Sequence, residues 1–164
     1  MPCSSGFDGT VGLPLNRVAQ GYAAANSDSG HSVPPGDSFS AAIWAYNNRV
    51  AEVDYGYRAA EATTRTAKRI IESFYRQRIE YSYFEGCSTG GRQALMAAQR
   101  DPHAFDGIVG GAPAHNLTGL AVEQNWSLRQ FLPSQGNVGP GTISATQASA
   151  LASAVLEKCD PLDG

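Results

Sequence analysis

Between residues 54 and 78 the apolar or small positions Tyr57, Ala60, Ala67, Ile71 and Phe74 recur every three or four residues, which places them on one face of a helix. Glu61/Arg65, Lys68/Glu72 and Glu72/Arg76 add charge pairs four apart. The pattern predicts a long amphipathic helix. The period then changes. Tyr81-Ser82-Tyr83-Phe84 is short and aromatic, which predicts a strand, whereas residues 89–100 are rich in Ala, Leu, Met and Gln, which predicts a second helix stopped at Asp101-Pro102. Gly107-Ile108-Val109-Gly110 reads as another buried strand, closed by Gly111-Ala112-Pro113. Strand, helix and strand in succession imply a parallel pair joined by a right-handed crossover, and hence an α/β fold.

The flanks are less regular. Gly21-Tyr22-Ala23-Ala24-Ala25-Asn26 reads as a strand emptying into the polar loop Ser27-Asp28-Ser29-Gly30-His31, and residues 32–40 are a loop containing Pro34, Pro35 and Gly36. Beyond Asn116 the character shifts: residues 133–141 are turn-rich, and residues 144–158 predict a helix capped by Ser144 with Gln147 three residues on. The last six residues, Cys159-Asp160-Pro161-Leu162-Asp163-Gly164, read as a turn.

Composition narrows the function classes. A chain of 164 residues fits one domain. With a net charge of -3 and no cluster of Lys or Arg, nothing suggests nucleic acid or an anionic membrane as a partner. No apolar run approaches the roughly 20 residues that span a bilayer. Met1-Pro2-Cys3-Ser4-Ser5-Gly6-Phe7 lacks the basic and apolar regions of a signal peptide, so either the protein stays inside the cell or the true amino terminus is missing. Three cysteines, Cys3, Cys87 and Cys159, leave one unpaired in any intramolecular scheme. Neither composition nor charge bears on oligomeric state.

Chemistry enters at Gly86-Cys87-Ser88-Thr89-Gly90. A Gly-x-Ser-x-Gly element between a strand and a helix is a nucleophile elbow, in which the serine occupies a strained turn and the flanking positions must be small. Ser88 is the candidate nucleophile. The backbone N–H of Thr89, at the positive end of the following helix, is the first candidate oxyanion donor, and Gly6 in Ser5-Gly6-Phe7-Asp8-Gly9 is the second. A base is harder to find. His103 falls at the far end of the helix, His31 precedes the nucleophile in a loop, and His115 follows the second strand at Ser88's own edge; each also reads as an ordinary loop or surface histidine. Asp160 and Asp163 could open a calcium loop or form a solvated turn.

These residues resemble the tannase and feruloyl esterase family of α/β-hydrolases. The resemblance is carried by Asp54-Tyr55-Gly56-Tyr57-Arg58-Ala59, by residues 81–93 with Cys87-Ser88-Thr89-Gly90-Gly91 at their centre, and by residues 105–114, with weaker matches at Gly6-Phe7-Asp8-Gly9 and Asp28-Ser29-Gly30-His31. It implies a serine carboxylesterase acting on small-molecule esters of aromatic acids such as feruloyl, galloyl or terephthalate esters. It also implies that Cys87 forms a disulfide with a downstream cysteine beside the catalytic histidine, and that Cys159, Asp160 and Asp163 begin a lid domain's Ca2+ loop, with Cys159 bonded to a cysteine outside this chain. Family members are about three times this length and secreted. The chain therefore resembles a fragment: residues 1–116 would be a partial α/β-hydrolase core, a parallel sheet with flanking helices, and residues 117–164 the start of the lid. Such a fragment would be weakly active or inactive. The alternatives are a non-catalytic pseudoenzyme or binding fragment, and a serine peptidase or acyltransferase on the same scaffold.

Overall fold

Parallel pairing of two short strands organises the fold, seen in a computed structural model that describes residues 6–33, 42–131 and 143–163. Strand β1 (Tyr83–Cys87) runs beside β2 (Gly107–Gly111), with Phe84 opposite Ile108 and Gly86 opposite Gly110. Main-chain bonds extend the ladder at both ends: the Asp106 N–H donates to the Ser82 carbonyl at 2.8 Å, and the Ser88 N–H donates to the Gly111 carbonyl at 3.0 Å. The strand–helix–strand order is the one the sequence predicts, with β1 beginning and ending later than its aromatic run.

Among the described residues, five helical segments precede the sheet. Short α1 (Leu15–Ala19) is followed by a 3-10 turn (Ile43–Ala45), by α2 (Arg49–Val53), and then by a π-helical turn (Asp54–Arg58) that runs into α3 (Ala59–Tyr75). Asn48 caps α2 by accepting the Ala51 N–H at 3.2 Å. The long helix thus begins before residue 54 and contains one wide turn. Of its three predicted charge pairs only Glu61–Arg65 forms, at 2.9 Å; Lys68 instead donates to the Ala104 carbonyl, and Glu72 accepts the Ile79 N–H at 3.4 Å. A lysine beside a chain turn finds a fixed carbonyl there, whereas a pair in water offers it little.

Helix α4 (Thr89–Arg100) has the predicted bounds and lies directly on the sheet. Its contact is made of glycines. A Cβ on Gly86 would sit 2.3 to 2.7 Å from the Gly90 backbone, and one on Gly91 would sit 2.3 Å from the Gly111 carbonyl oxygen. Beside them Ala94 is fully buried, and Phe84 packs edge-on against Phe105 at 5.3 Å. The opposite sheet face carries Tyr83 and Val109, both largely exposed.

One predicted strand is absent. Residues 22–28 follow α1 without regular structure, because no other strand pairs with them; an extended segment forms a strand only when its main-chain groups find a partner. A groove of about 820 Å³ separates them from β1, with Ala23, Ala24 and Ala25 on one side and Tyr83 and Glu85 on the other.

The chain divides into two units, Met1–His115 and Asn116–Gly164. The second holds α5 (Leu117–Phe131), which the sequence analysis leaves unassigned, and α6 (Ala145–Asp163). The predicted capping box at α6 forms: the Gln147 N–H donates to Ser144 Oγ at 3.2 Å, and the Ser144 N–H donates to Gln147 Oε1 at 2.9 Å. The helix continues past residue 158 and includes Pro161, so residues 159–163 of the predicted terminal turn are helical. Residues 34–40 of the proline loop, the turn-rich stretch 133–141 and Cys3 lie outside the described residues. Among the described residues no helix is long and apolar enough to cross a membrane.

Candidate active site

Ser88 stands between β1 and α4 at φ 58° and ψ -116°, a backbone conformation that side chains other than hydrogen rarely adopt. The turn is sharp because the helix must start at once above the strand it leaves. Close contact of Gly86 with Gly90 makes this possible, and three main-chain bonds hold it: Ser88 donates to Gly111, while its carbonyl accepts from Arg92 at 3.0 Å and from Ala114 at 3.4 Å. Ser88 itself is half-buried and Thr89 is buried. The Thr89 N–H opens α4, where the unpaired amides and the helix dipole favour negative charge.

Gly6 is brought to the same place. Its carbonyl accepts a hydrogen bond from the Thr89 hydroxyl, and the hydroxyl of buried Tyr55 lies 3.4 Å from Thr89 Oγ1. The loop that follows is tied down by further bonds. Gly9 N–H donates to the Asp28 carbonyl at 3.1 Å, and the Val33 N–H donates to the Gly9 carbonyl at 3.3 Å. Beneath them Gln93 donates to Ser29 Oγ at 2.7 Å, which donates to the Asp8 carboxylate at 2.8 Å. All three side chains are buried, so each bond is made in a low-dielectric setting where leaving a partner unpaired is costly.

No histidine contacts the nucleophile. His115 is exposed, and its Nδ1 lies 3.3 Å from the Pro113 carbonyl, one residue beyond the Ala114 amide that bonds Ser88. His103 is exposed in the turn after α4, at the end away from Ser88. His31 is buried and stacked on Trp44 at 3.7 Å, edge-on to Tyr55 at 5.9 Å. Both its ring nitrogens lack a hydrogen-bond partner among the described residues.

Of the remaining candidates, Cys87 is half-buried and Cys159 exposed; both are free thiols. Asp160 lies on α6, and position 163 is that helix's last residue. Two carboxylates fall short of the six to eight oxygens that calcium takes, and among the described residues no group of three potential metal ligands occurs.

Sequence reasoning missed Tyr55 and Arg92. The Arg92 guanidinium lies 4.2 Å over the Tyr55 ring and donates to the Tyr55 and Gly56 carbonyls at 2.8 and 3.2 Å. Both residues lie in segments singled out above, yet only the π-helical turn turns the Tyr55 side chain and carbonyl toward α4. No periodicity announces such a turn.

Nearby ion pairs set the electrostatics at the periphery. The Arg17 guanidinium donates to both oxygens of Glu85, at 2.6 and 2.5 Å, and holds that carboxyl below its ordinary value. Arg58 does the same for Asp54, one turn away on the same helix.

The description "Tannase and feruloyl esterase" fits residues 4–164. A probable feruloyl esterase B-1 from Aspergillus fumigatus is 39% identical over 164 residues, an alignment that takes in 98% of this chain and 29% of the relative. Feruloyl esterase C from Talaromyces stipitatus is 35% identical over 147 residues, or 89% of this chain and 26% of the relative. The crystal structure of feruloyl esterase B from Aspergillus oryzae superposes with a TM-score of 0.81 at 31% identity, covering 98% of this chain and 31% of that one. The chain thus spans under a third of the length of these relatives.

Proposed function

This chain belongs to the tannase and feruloyl esterase family of α/β-type ester hydrolases, and we propose that it carries the nucleophile half of a serine carboxylesterase acting on esters of aromatic acids. One observation bears most of the weight: the positive φ of Ser88 at the β1–α4 junction, where glycine packing lets the helix start directly above the strand. In this reading Ser88 Oγ attacks the ester carbonyl, and the N–H groups of Thr89 and Gly6 receive the oxyanion. The alcohol leaves, and water then resolves the acyl-enzyme.

The base comes from outside these residues, since none of the three histidines touches Ser88. A disulfide from Cys87 to a cysteine beside that histidine, a secreted parent protein, and a calcium loop completed by carboxylates from further along a longer polypeptide all belong to the same proposal.

Methyl ferulate hydrolysis by the full-length parent, with and without Ser88→Ala, tests it. Loss of the nucleophile should cost about a millionfold in kcat. Undiminished turnover by Ser88→Ala would overturn the reading. The 164 residues alone should turn over little ester. The missing base contact also favours a second reading, a non-catalytic binding fragment. A fluorophosphonate separates the two, because only an activated serine in the parent is labelled at Ser88.

A further inference from the structure

The side chains of Thr89 and Tyr55 are left unused by that mechanism, which draws only on the Thr89 backbone. Each hydroxyl has one proton to give. Thr89 spends its proton on the Gly6 carbonyl, so at 3.4 Å from Tyr55 its oxygen is the acceptor and Tyr55 the donor. The result is a directed chain, Tyr55 to Thr89 to Gly6, running from the π-helical turn across the first residue of α4 to the loop opposite.

This chain fixes an orientation. Holding the Gly6 carbonyl fixes the peptide plane between Gly6 and Phe7. Gly6, at φ 63°, carries its own N–H at the other side of its Cα, so anchoring the carbonyl limits how far that N–H can swing. Glycine at positive φ is flexible by itself, so an external restraint is what makes such an amide a preorganised donor.

Tyr55 is itself immobilised on every side. It is 7% exposed, its ring lies under the Arg92 guanidinium at 4.2 Å, and Trp44 and Phe7 approach at 5.1 and 6.3 Å between ring centres. Arg92 also donates to the Tyr55 carbonyl at 2.8 Å. Helix α4 therefore grips the π-helical turn through Arg92 and the Gly6 loop through Thr89, one helical turn apart.

We propose that the Thr89 and Tyr55 hydroxyls are positioning groups that clamp the Gly6 loop and so aim the second oxyanion donor at the ester bound over Ser88. The proposal rests on the serine esterase reading above. It accounts for a threonine after the nucleophile, where a backbone N–H alone would need no particular side chain, and for a tyrosine hydroxyl buried within reach of it.

The test compares Thr89→Val, Thr89→Ser and Tyr55→Phe in the full-length enzyme on methyl ferulate, beside Ser88→Ala. Thr89→Val should lower kcat by about 10- to 100-fold with KM within about twofold, because an oxyanion donor acts on the transition state and not on the bound ester. Thr89→Ser keeps the hydroxyl and should recover most of that loss. Tyr55→Phe should cost a smaller factor, about 3- to 10-fold, in kcat. Amide exchange at Gly6 and Phe7, read by NMR on folded Tyr55→Phe, should quicken. A wild-type kcat in Thr89→Val, or a Thr89→Ser as impaired as Thr89→Val, would overturn the clamp. Should Thr89→Val fail to fold, Tyr55→Phe decides: unchanged kcat and unchanged exchange at Gly6 overturn it as well. Turnover surviving in Ser88→Ala would instead sink the esterase reading beneath it.

Discussion

At φ 58° and ψ -116° a serine pays roughly 1–3 kcal/mol of backbone strain, which persists only where the surroundings over-determine the turn. Here the Gly111, Arg92 and Ala114 main-chain bonds do so. Ser88→Gly should therefore stabilise the fold by about 0.5–1 kcal/mol in urea denaturation while abolishing ester hydrolysis by the parent. Gly86→Ala should act in the opposite direction. Its Cβ would overlap the Gly90 backbone, and a loss of about 1–3 kcal/mol by the same measurement is expected. Acid provides a third check. The ordinary values of Asp54 and Glu85 are 3.8 and 4.5, and both are lowered in the folded chain by their arginine partners. Their stabilisation is therefore present above those ordinary values and lost as pH falls through the lowered ones. Asp54→Asn and Glu85→Gln should each flatten the acid limb of a stability–pH curve below about pH 4.5 and change little at neutral pH, as expected of partly exposed pairs. At this scale the sequence was eloquent about Ser88, because the small neighbours that its turn needs are adjacent in the chain. Tyr55 and Arg92 meet across 37 positions, and nothing local announces them.

Elements defined by their own periodicity were readable, and those defined by a partner were not. The bounds of α4 follow from its composition and the Asp101-Pro102 stop, and the α6 start from a Ser-Gln cap. By contrast, residues 21–26 have strand-like composition without a strand beside them, and the three- and four-residue spacing after Asp54 conceals a π-helical turn. The far end of α3 offers a test. It closes on Arg76 in the left-handed region, φ 54° and ψ 34°, where glycine is at ease. Arg76→Gly should raise thermal stability by about 0.5–1 kcal/mol, measured by calorimetry or circular dichroism.

For the molecule as a whole, burial is concentrated where α4 meets the sheet: the residues from Thr89 to Ala94 are all buried, whereas every described side chain on α6 is exposed. Local stability should follow that division. Hydrogen exchange at Gly86, Ser88 and Arg92 is expected to be slower than along α6 by roughly a hundredfold or more, as read by mass spectrometry or NMR. Equal protection of the two would contradict it. The sequence by itself determined the α/β class, the strand–helix–strand order and the position of the serine elbow, because each depends on residues within one turn or one pleat of one another. Only the tertiary structure decided which hydroxyl reaches the Gly6 loop, that Arg92 binds the π-helical turn, and that no histidine of this chain touches Ser88. Those contacts join segments dozens of residues apart, and their geometry is set by how closely the glycines let α4 approach the sheet.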